Sequence, residues 1–343
     1  MDSWIAQMCR ATSRRQFFAW FFILAAGIVF VAFNARYVRN FVEGPFPFQA
    51  DDLAQITDAN TAPHYYASVA GDQVIDTGIQ EVTTTTENGA ETGKYVSAGY
   101  YAFVVGNHVL IVKSAGKPGG KVAGELKPIP SDLSGQLFSD ADGQQLQGET
   151  YPFYLDTEGF RYPGYWAIAI GCVFLPLFVR FGGRAWVRWQ DVSKNPVMKR
   201  VSEQWGDVMG VSVDAERELS AGVVYKSGGI FLTDKYTVEK GFFRFNIFRF
   251  RDLLWAYKKV TQRRVNFIPT GKSYEAVLVF YGGSKQFSGP ETKIHEVLTY
   301  ASSKAPWAVI GYSKEIADAF NKHTTEFCQA IEARRRDLAS AAS

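Results

Sequence analysis

The sequence predicts a membrane protein with two transmembrane helices, an all-β extracytoplasmic domain between them and an α+β cytoplasmic domain after them. Three observations lead there. Two long apolar runs stand at Phe17–Ala35 and Pro163–Gly183. Basic residues crowd behind the second run. The segments on either side of it carry opposite charge: residues 40–162 hold 6 Lys/Arg against 16 Asp/Glu, and residues 183–343 hold 25 against 17. The net charge of +3 therefore conceals an acidic half and a basic half.

Residues 1–16 read as a short basic N-terminus with Arg10, Arg14 and Arg15. The first span is 17–36, uncharged from Phe17 to Phe33 and long enough to cross about 30 Å of hydrocarbon. A cleaved signal peptide fits less well, because no clean small-x-small site follows the apolar part. The second span is 163–183. Trp20, Tyr37, Tyr162, Tyr165, Trp166, Trp186 and Trp189 lie near the span ends, as interfacial aromatics do. Pro176 is expected to kink the second helix. Orientation follows from Lys and Arg beside the spans. The first span is nearly balanced, with Arg36 and Arg39 behind it. The second is followed by Arg180, Arg184, Arg188, Lys194, Lys199 and Arg200, with Arg161 alone before it. Both termini are thus expected in the cytoplasm of a cell bounded by this plasma membrane. Arg36 and Arg39 then fall on the wrong side, where lipid phosphates would have to hold them.

Residues 40–162 read as short strands with close turns. Strands are expected at 65–69, 74–82, 95–105, 108–113 and 122–126, with turns at Asp76-Thr77-Gly78, Asn88-Gly89 and Gly106-Asn107. Pro128 and Pro130 bar a central strand there. An OB-like barrel is expected, a sandwich being the alternative. With no cysteine in this segment, it must stand on its core. Cys9, near the first span, is a candidate for palmitoylation or an idle thiol.

Residues 184–220 read as a helical connector, with Asn195-Pro196 as N-cap and first helical residue. Residues 221–343 return to β pattern. Strands are expected at 223–225, 229–233, 236–239, 245–248, 253–261, 274–281 and 285–288, then a helix at 291–303 and a last helix capped by Ser313. Seven strands closed by a C-terminal amphipathic helix resemble a pleckstrin-homology-like fold, from whose simplest form the extra helix and Trp307–Tyr312 before the last helix depart. Gly229–Asp234 (GIFLTD), Leu254–Lys259 (LWAYKK), Asn266–Ser273 (NFIPTGKS) and Ala305–Ser313 (APWAVIGYS) resemble an uncharacterised family of bacterial two-pass membrane proteins with a domain of unknown function. The resemblance covers the inner domain and the layout of the outer loop, and it implies no catalytic residue.

Motifs of chemistry are sparse. Gly271-Lys272-Ser273 lacks the earlier glycine and the following helix of a phosphate loop, so it reads as a turn between strands. His64, His108, His295 and His323 are scattered, and no Cys-x-x-Cys or His-x-x-x-His spacing marks a metal. No cofactor and no nucleic-acid partner are expected, since 17 carboxylates dilute the basic half. The candidate contact residues are Lys258, Lys259, Arg263, Arg264 and Lys272, which flank one strand and its turn. Such a cluster suits anionic lipid headgroups at about 1 kcal/mol per basic residue, or a protein partner. The expected role is a non-enzymatic binding, sensing or scaffold module at the membrane. The alternatives are an envelope enzyme with a site assembled only by the fold, or a subunit of a larger complex, with Gly27 and Gly171 permitting close helix contact and self-association.

Overall fold

The structure is a computed structural model. It describes residues 3–87, 90–139, 141–265 and 268–341, with the backbone alone at 87, 90, 141–142, 263–265 and 268–270. The Asn88-Gly89 turn lies outside the described residues. The chain divides into two compact units, one of Met1–Phe22 with Leu177–Ser343 and one of Ile23–Pro176. Both divisions fall inside the apolar helices.

Helix α1 (Trp4–Phe33) runs without a break from the N-terminus through the first apolar run. The basic N-terminus is therefore helical. A nine-residue helix α2 (Ala35–Glu43) follows Asn34. Then come β1 (Phe46–Phe48), α3 (Ala50–Ala54), β2 (Tyr66–Ala70), β3 (Gln73–Glu87), β4 (Ala90–Val105), β5 (His108–Ser114), β6 (Lys121–Pro128), α4 (Ser131–Leu137), α5 (Ala141–Gln147) and β7 (Thr150–Asp156). Helix α6 (Tyr162–Leu177) leads into the second apolar run.

In the 23–176 unit, the strands form one mixed sheet in the order β1-β2-β6-β7-β5-β4-β3. Pairs β1–β2 and β5–β7 are parallel. No ladder among the described residues joins β1 to β3, so nothing there closes the OB-like barrel expected from the strand spacing. The Asp76-Thr77-Gly78 turn is instead a register shift within one long strand, where Gly78 takes φ +72° and its N–H donates to Asp76 Oδ1. Strand β7 was hidden by Pro152, which removes a ladder donor. It falls where the β5–β7 register shifts and bonds through its carbonyl to Ile129. Leu53, Phe103, Leu110, Phe153, Leu155 and Phe160 fill the core.

Arg36 and Arg39 have protein partners. The Arg36 guanidinium donates to the carbonyls of Ala59, Asn60 and Ala62 and lies 4.2 Å over the Tyr65 ring. Arg39 pairs with Glu43 at 3.0 Å. Next to Arg39, Asn40 is fully buried and fully satisfied. It donates to Arg36 O and Pro63 O, both at 2.9 Å, and accepts from the N–H groups of Tyr65 and Tyr66 at 2.8 and 3.0 Å. The Tyr37 hydroxyl donates to Phe160 O and accepts from Gly164 N, tying α2 to α6. A Cβ at Gly164 would collide with the Phe41 ring, so glycine permits this close approach.

Regular α-helix ends at Leu177, just past Pro176, and in the other unit a π-helical turn spans Phe178–Gly182. Helices α7 (Gly183–Gln190), α8 (Pro196–Trp205) and α9 (Val208–Ala221) follow. Asn195 caps α8 through Val197 N at 2.9 Å, as its sequence foretells. Strands β8 (Tyr225–Ser227), β9 (Ile230–Leu232), β10 (Tyr236–Lys240) and β11 (Phe245–Arg249) make one antiparallel meander. Strands β12 (Leu253–Val265), β13 (Ile268–Phe280) and β14 (Gly283–Gly289) make a second. Helix α10 (Glu291–Lys304) covers it, and β15 (Val309–Ile310) adds to its β12 edge in parallel. The single last helix expected from sequence is two, α11 (Lys314–Lys322) and α12 (Thr324–Ala341), broken at His323.

The N-terminal segment and the connector both belong to this unit's core. Ile5 and Cys9 are wholly buried with Val197, Val201, Ala215, Val238 and Ile247. Ile5 N donates to Ser212 Oγ at 3.1 Å. Burial pushes the Cys9 thiol up to about 12, which leaves it inert and out of reach of acylation in the folded chain.

Candidate binding groove

The five basic residues singled out by sequence do not come together as one described patch. Lys258 and Lys259 are neighbours on β12, so alternation sends them to opposite faces. Lys258 Nζ donates to Glu291 Oε1 on α10 at 2.8 Å and lies 3.4 Å from His295 Nε2. That bond holds the Glu291 carboxyl below the usual carboxylate range. Lys259 Nζ reaches Glu275 Oε2 on β13 at 3.0 Å. Lys272 is exposed, opposite Gln262 in the ladder. Arg263 and Arg264 stand opposite Gly271 and Pro269 in the backbone, and their side chains lie outside the described residues. Gly271-Lys272-Ser273 is part of strand β13, with no helix behind it to receive a phosphate.

The second sheet offers two faces. Helix α10 packs one, through Ile294, Val297 and Ala301 against Ala276, Leu278 and Phe287. Helices α11 and α12 pack the other, through Cys328 and Ile331 against Leu254, Trp255, Val277 and Val279. Ser313 starts α11 by accepting from Ile316 N at 3.2 Å. The two helices do not cover the face completely. Between them and strands β12–β14 lies a groove of about 850 Å³.

Aromatic rings define one wall. Trp255 and Tyr257, two apart on β12, share a face with ring centroids 4.3 Å apart. Tyr312 stacks on Trp255 at 5.9 Å and 17°, and Phe320 of α11 lies 5.9 Å from the same indole. The Trp255 indole is locked by donating to Gly311 O at 2.6 Å. Gln286, Asn321 and Gln329 supply amides along the groove. Its lining has no carboxylate, imidazole, ammonium or guanidinium. Two tyrosines there are perturbed: burial raises the Tyr257 hydroxyl, and burial with the bond to Cys328 pushes that of Tyr281 up to about 12. Such a groove can take an uncharged, partly aromatic surface and bond it through amides.

A second cavity of about 720 Å³ is lined by Lys235, Arg249, Arg251, Lys304, Arg335 and Arg336. Four of these six are already paired: Lys235 with Asp214 at 2.9 Å, Arg249 with Asp252 at 3.0 Å, Arg335 with Glu332 at 2.6 Å, and Lys304 with Asp234. The Lys235 hydrogen bond keeps Asp214 below the usual carboxylate range. No group of three or more His, Cys, Asp or Glu suited to a metal occurs among the described residues.

Sequence reasoning named Trp255, Tyr257 and Tyr312 only within the motifs that carried a family resemblance. The i, i+2 spacing of Trp255 and Tyr257 on a strand was the available signal for a shared aromatic face. Tyr312 and Phe320 could be added only by the fold. Two helices of the chain, Trp4–Phe33 and Tyr162–Gln190, are long and apolar enough to cross a membrane, with mean hydropathies of 2.2 and 1.7 in their apolar windows. No curated protein and no solved structure matches the chain. Residues 210–320, which include the β12–β14 sheet and most of α11, match the family model described as a domain of unknown function, DUF6709.

Proposed function

We propose that the chain is a two-pass membrane protein whose ends meet on the cytoplasmic side in a non-enzymatic binding module, with residues 40–162 on the other side. One observation carries the reading. Ile5 and Cys9 precede the first apolar helix, yet they fill the same core as Val197, Val201 and Ile247, which follow the second. Two crossings return the chain to the side it left, and a core shared by residues before and after both spans requires such an even number of crossings. A cleaved N-terminus would empty that core. Burial separates spans from core helices: 0% and 6% of the apolar windows are buried, whereas a core helix would be covered. The basic residues that follow the second span favour the cytoplasm for the joined ends. Arg36, Arg39 and Arg161 weigh little against this, because Arg36 and Arg161 tie segments of the 23–176 unit together and Arg39 is paired with Glu43. Arg161 donates to Gly44 O at 2.9 Å.

Four strands, three strands and α10, an earlier helix than the C-terminal one expected to close them, support a pleckstrin-homology-like reading within residues 221–343. The uncharged aromatic groove supports binding over catalysis. The lipid-contact reading survives for the far end of the β12–β13 hairpin, where Lys272 is exposed and has no carboxylate within 4.0 Å among the described residues. Single cysteines at Thr85 and Ser340, both exposed, test the topology with an impermeant thiol reagent on intact cells. Labelling at 85 and not at 340 is expected; the reverse overturns it. Partner retention in mild detergent, compared between wild type and Tyr312→Ala, tests the groove. Equal retention of every partner removes the groove from the reading.

A further inference from the structure

We propose that the β10–β11 hairpin tip, Phe242-Phe243, is a third membrane contact, inserted at the bilayer interface beside the first span. This rests on the two-pass reading above. The turn Gly241–Arg244 closes through Gly241 N to Arg244 O at 2.8 Å and leaves two rings outside the core. Phe242 is 66% exposed and Phe243 44%, while Phe245, the first residue of β11, is buried. The two rings meet edge to face at 4.7 Å. A pair of exposed phenylalanines on a hairpin tip costs apolar hydration unless something covers it.

What covers it is indicated by where the tip is fastened. Gln16 Nε2 donates to Phe243 O at 2.7 Å. Arg15 Nη1 donates to Phe242 O at 3.4 Å, and its guanidinium stands 4.8 Å over the Phe242 ring. Arg15 and Gln16 are the last residues before the apolar run. One residue further along α1, Phe17 lies 4.9 Å from Trp186 and 5.9 Å from Trp189, and Phe18 lies 5.7 Å from Trp189. That aromatic group has the composition of an interfacial belt. A helix rises about 1.5 Å per residue, so the carbonyls of Phe242 and Phe243 are held within a turn of the belt. Arg15 and Arg244 flank the rings with charge suited to phosphate. A protein partner would have to dock against this belt from within the lipid, so the bilayer is the occupant the geometry favours.

The ladders place a second element at the same end. Lys240 N donates to Gly229 O at 2.7 Å, and Ser227 Oγ donates to Ser288 O at 2.9 Å. Ser288 stands opposite Glu275 on β13. The β12–β13 hairpin extends beyond Glu275 with Lys272 and the backbone of Arg263 and Arg264. One end of the unit thus presents an apolar tip and a basic hairpin together.

The test uses the full chain in phosphatidylcholine–phosphatidylglycerol vesicles. Cys9 and Cys328 are buried and Cys172 is exposed in the second apolar helix, so a fluorescent thiol label on the wild type reports Cys172. The Cys172→Ser, Phe242→Cys variant moves the label to the tip. Emission at both positions is read against lipids carrying a nitroxide near the headgroup and deep in the chain, and against aqueous iodide. The expected result is loss of emission at 242 with the shallow nitroxide, protection from iodide, and loss at 172 with the deep one. Quenching by lipid at 172 with iodide access at 242 overturns the tip while the spans stand. No lipid quenching at either position removes the two-pass reading and this inference with it.

Discussion

Replacing Ile5 with Ala measures how far the N-terminal turn stabilises the unit it joins. The side chain is fully buried among Val197, Val201, Val238 and Ile247. Three carbons are lost, which at about 0.8 kcal/mol per buried CH₂ is about 2.4 kcal/mol of transfer. The cavity left behind raises the cost to about 3 kcal/mol, inside the range of about 2–5 for such truncations. The bond from Ile5 N to Ser212 Oγ is a backbone bond and survives the change. Native-state labelling of Cys9 is the assay, since its thiol is buried and reacts only when this core opens. About 3 kcal/mol raises the open population by roughly 100-fold, and the labelling rate with it. Cys328 sits in a different cluster and serves as the internal reference. Cys9 labelling at the wild-type rate in Ile5→Ala would refute the shared core, and the topology argument built on it.

Three further outcomes are expected. Asn40→Ala leaves the N–H groups of Tyr65 and Tyr66 and the carbonyls of Arg36 and Pro63 without their partner; at about 1–3 kcal/mol for an orphaned buried group, limited proteolysis should open residues 40–70 first. Gly164→Ala drives a methyl into the Phe41 ring and should cost about 1–3 kcal/mol, read as a lowered melting temperature in detergent that Phe41→Ala partly restores. Burial alone would raise the Glu239 carboxyl, but the Lys285 ammonium at 2.5 Å outweighs it and holds the group below the usual range. A depressed carboxyl contributes stability above its unfolded value near pH 4.3 and loses it as pH falls through the folded value. Glu239→Gln should therefore flatten the fall in melting temperature on acidification below about pH 4.3.

The inner strands were legible because their apolar residues recur with strand periodicity and their turns carry glycine. The caps at Asn195 and Ser313 were legible for a local reason, since a side chain and the N–H it accepts from lie two or three residues apart. What failed was non-local or locally contradicted. Strand β7 carries Pro152, a residue that argues against a central strand until the register shift beside it is known. The break at His323 has neither glycine nor proline to announce it. Of the five candidate basic residues, Lys258 and Lys259 alone are shown paired, because Glu291 and Glu275 arrive from other elements. The groove needed α11 folded back over β12, and nothing in the spacing of Trp255 and Tyr312 shows that. The role of residues 4–9 was least legible, because their partners lie beyond two apolar helices.

The Ile5–Ser212 bond joins residues 207 positions apart. At about 5–20 residues per second, a ribosome needs roughly 10–40 s to travel between them. For that whole interval the first turns of α1 have been made and their core has not. Their apolar side must wait uncovered by that core while both apolar helices and the sheet between them emerge. A segment made well before its partners is thus among the last to find its place. Its arrival works as a clasp: the 23–176 segment becomes a loop whose two ends are gripped by one core, and release of a few N-terminal residues would open it without cutting the chain.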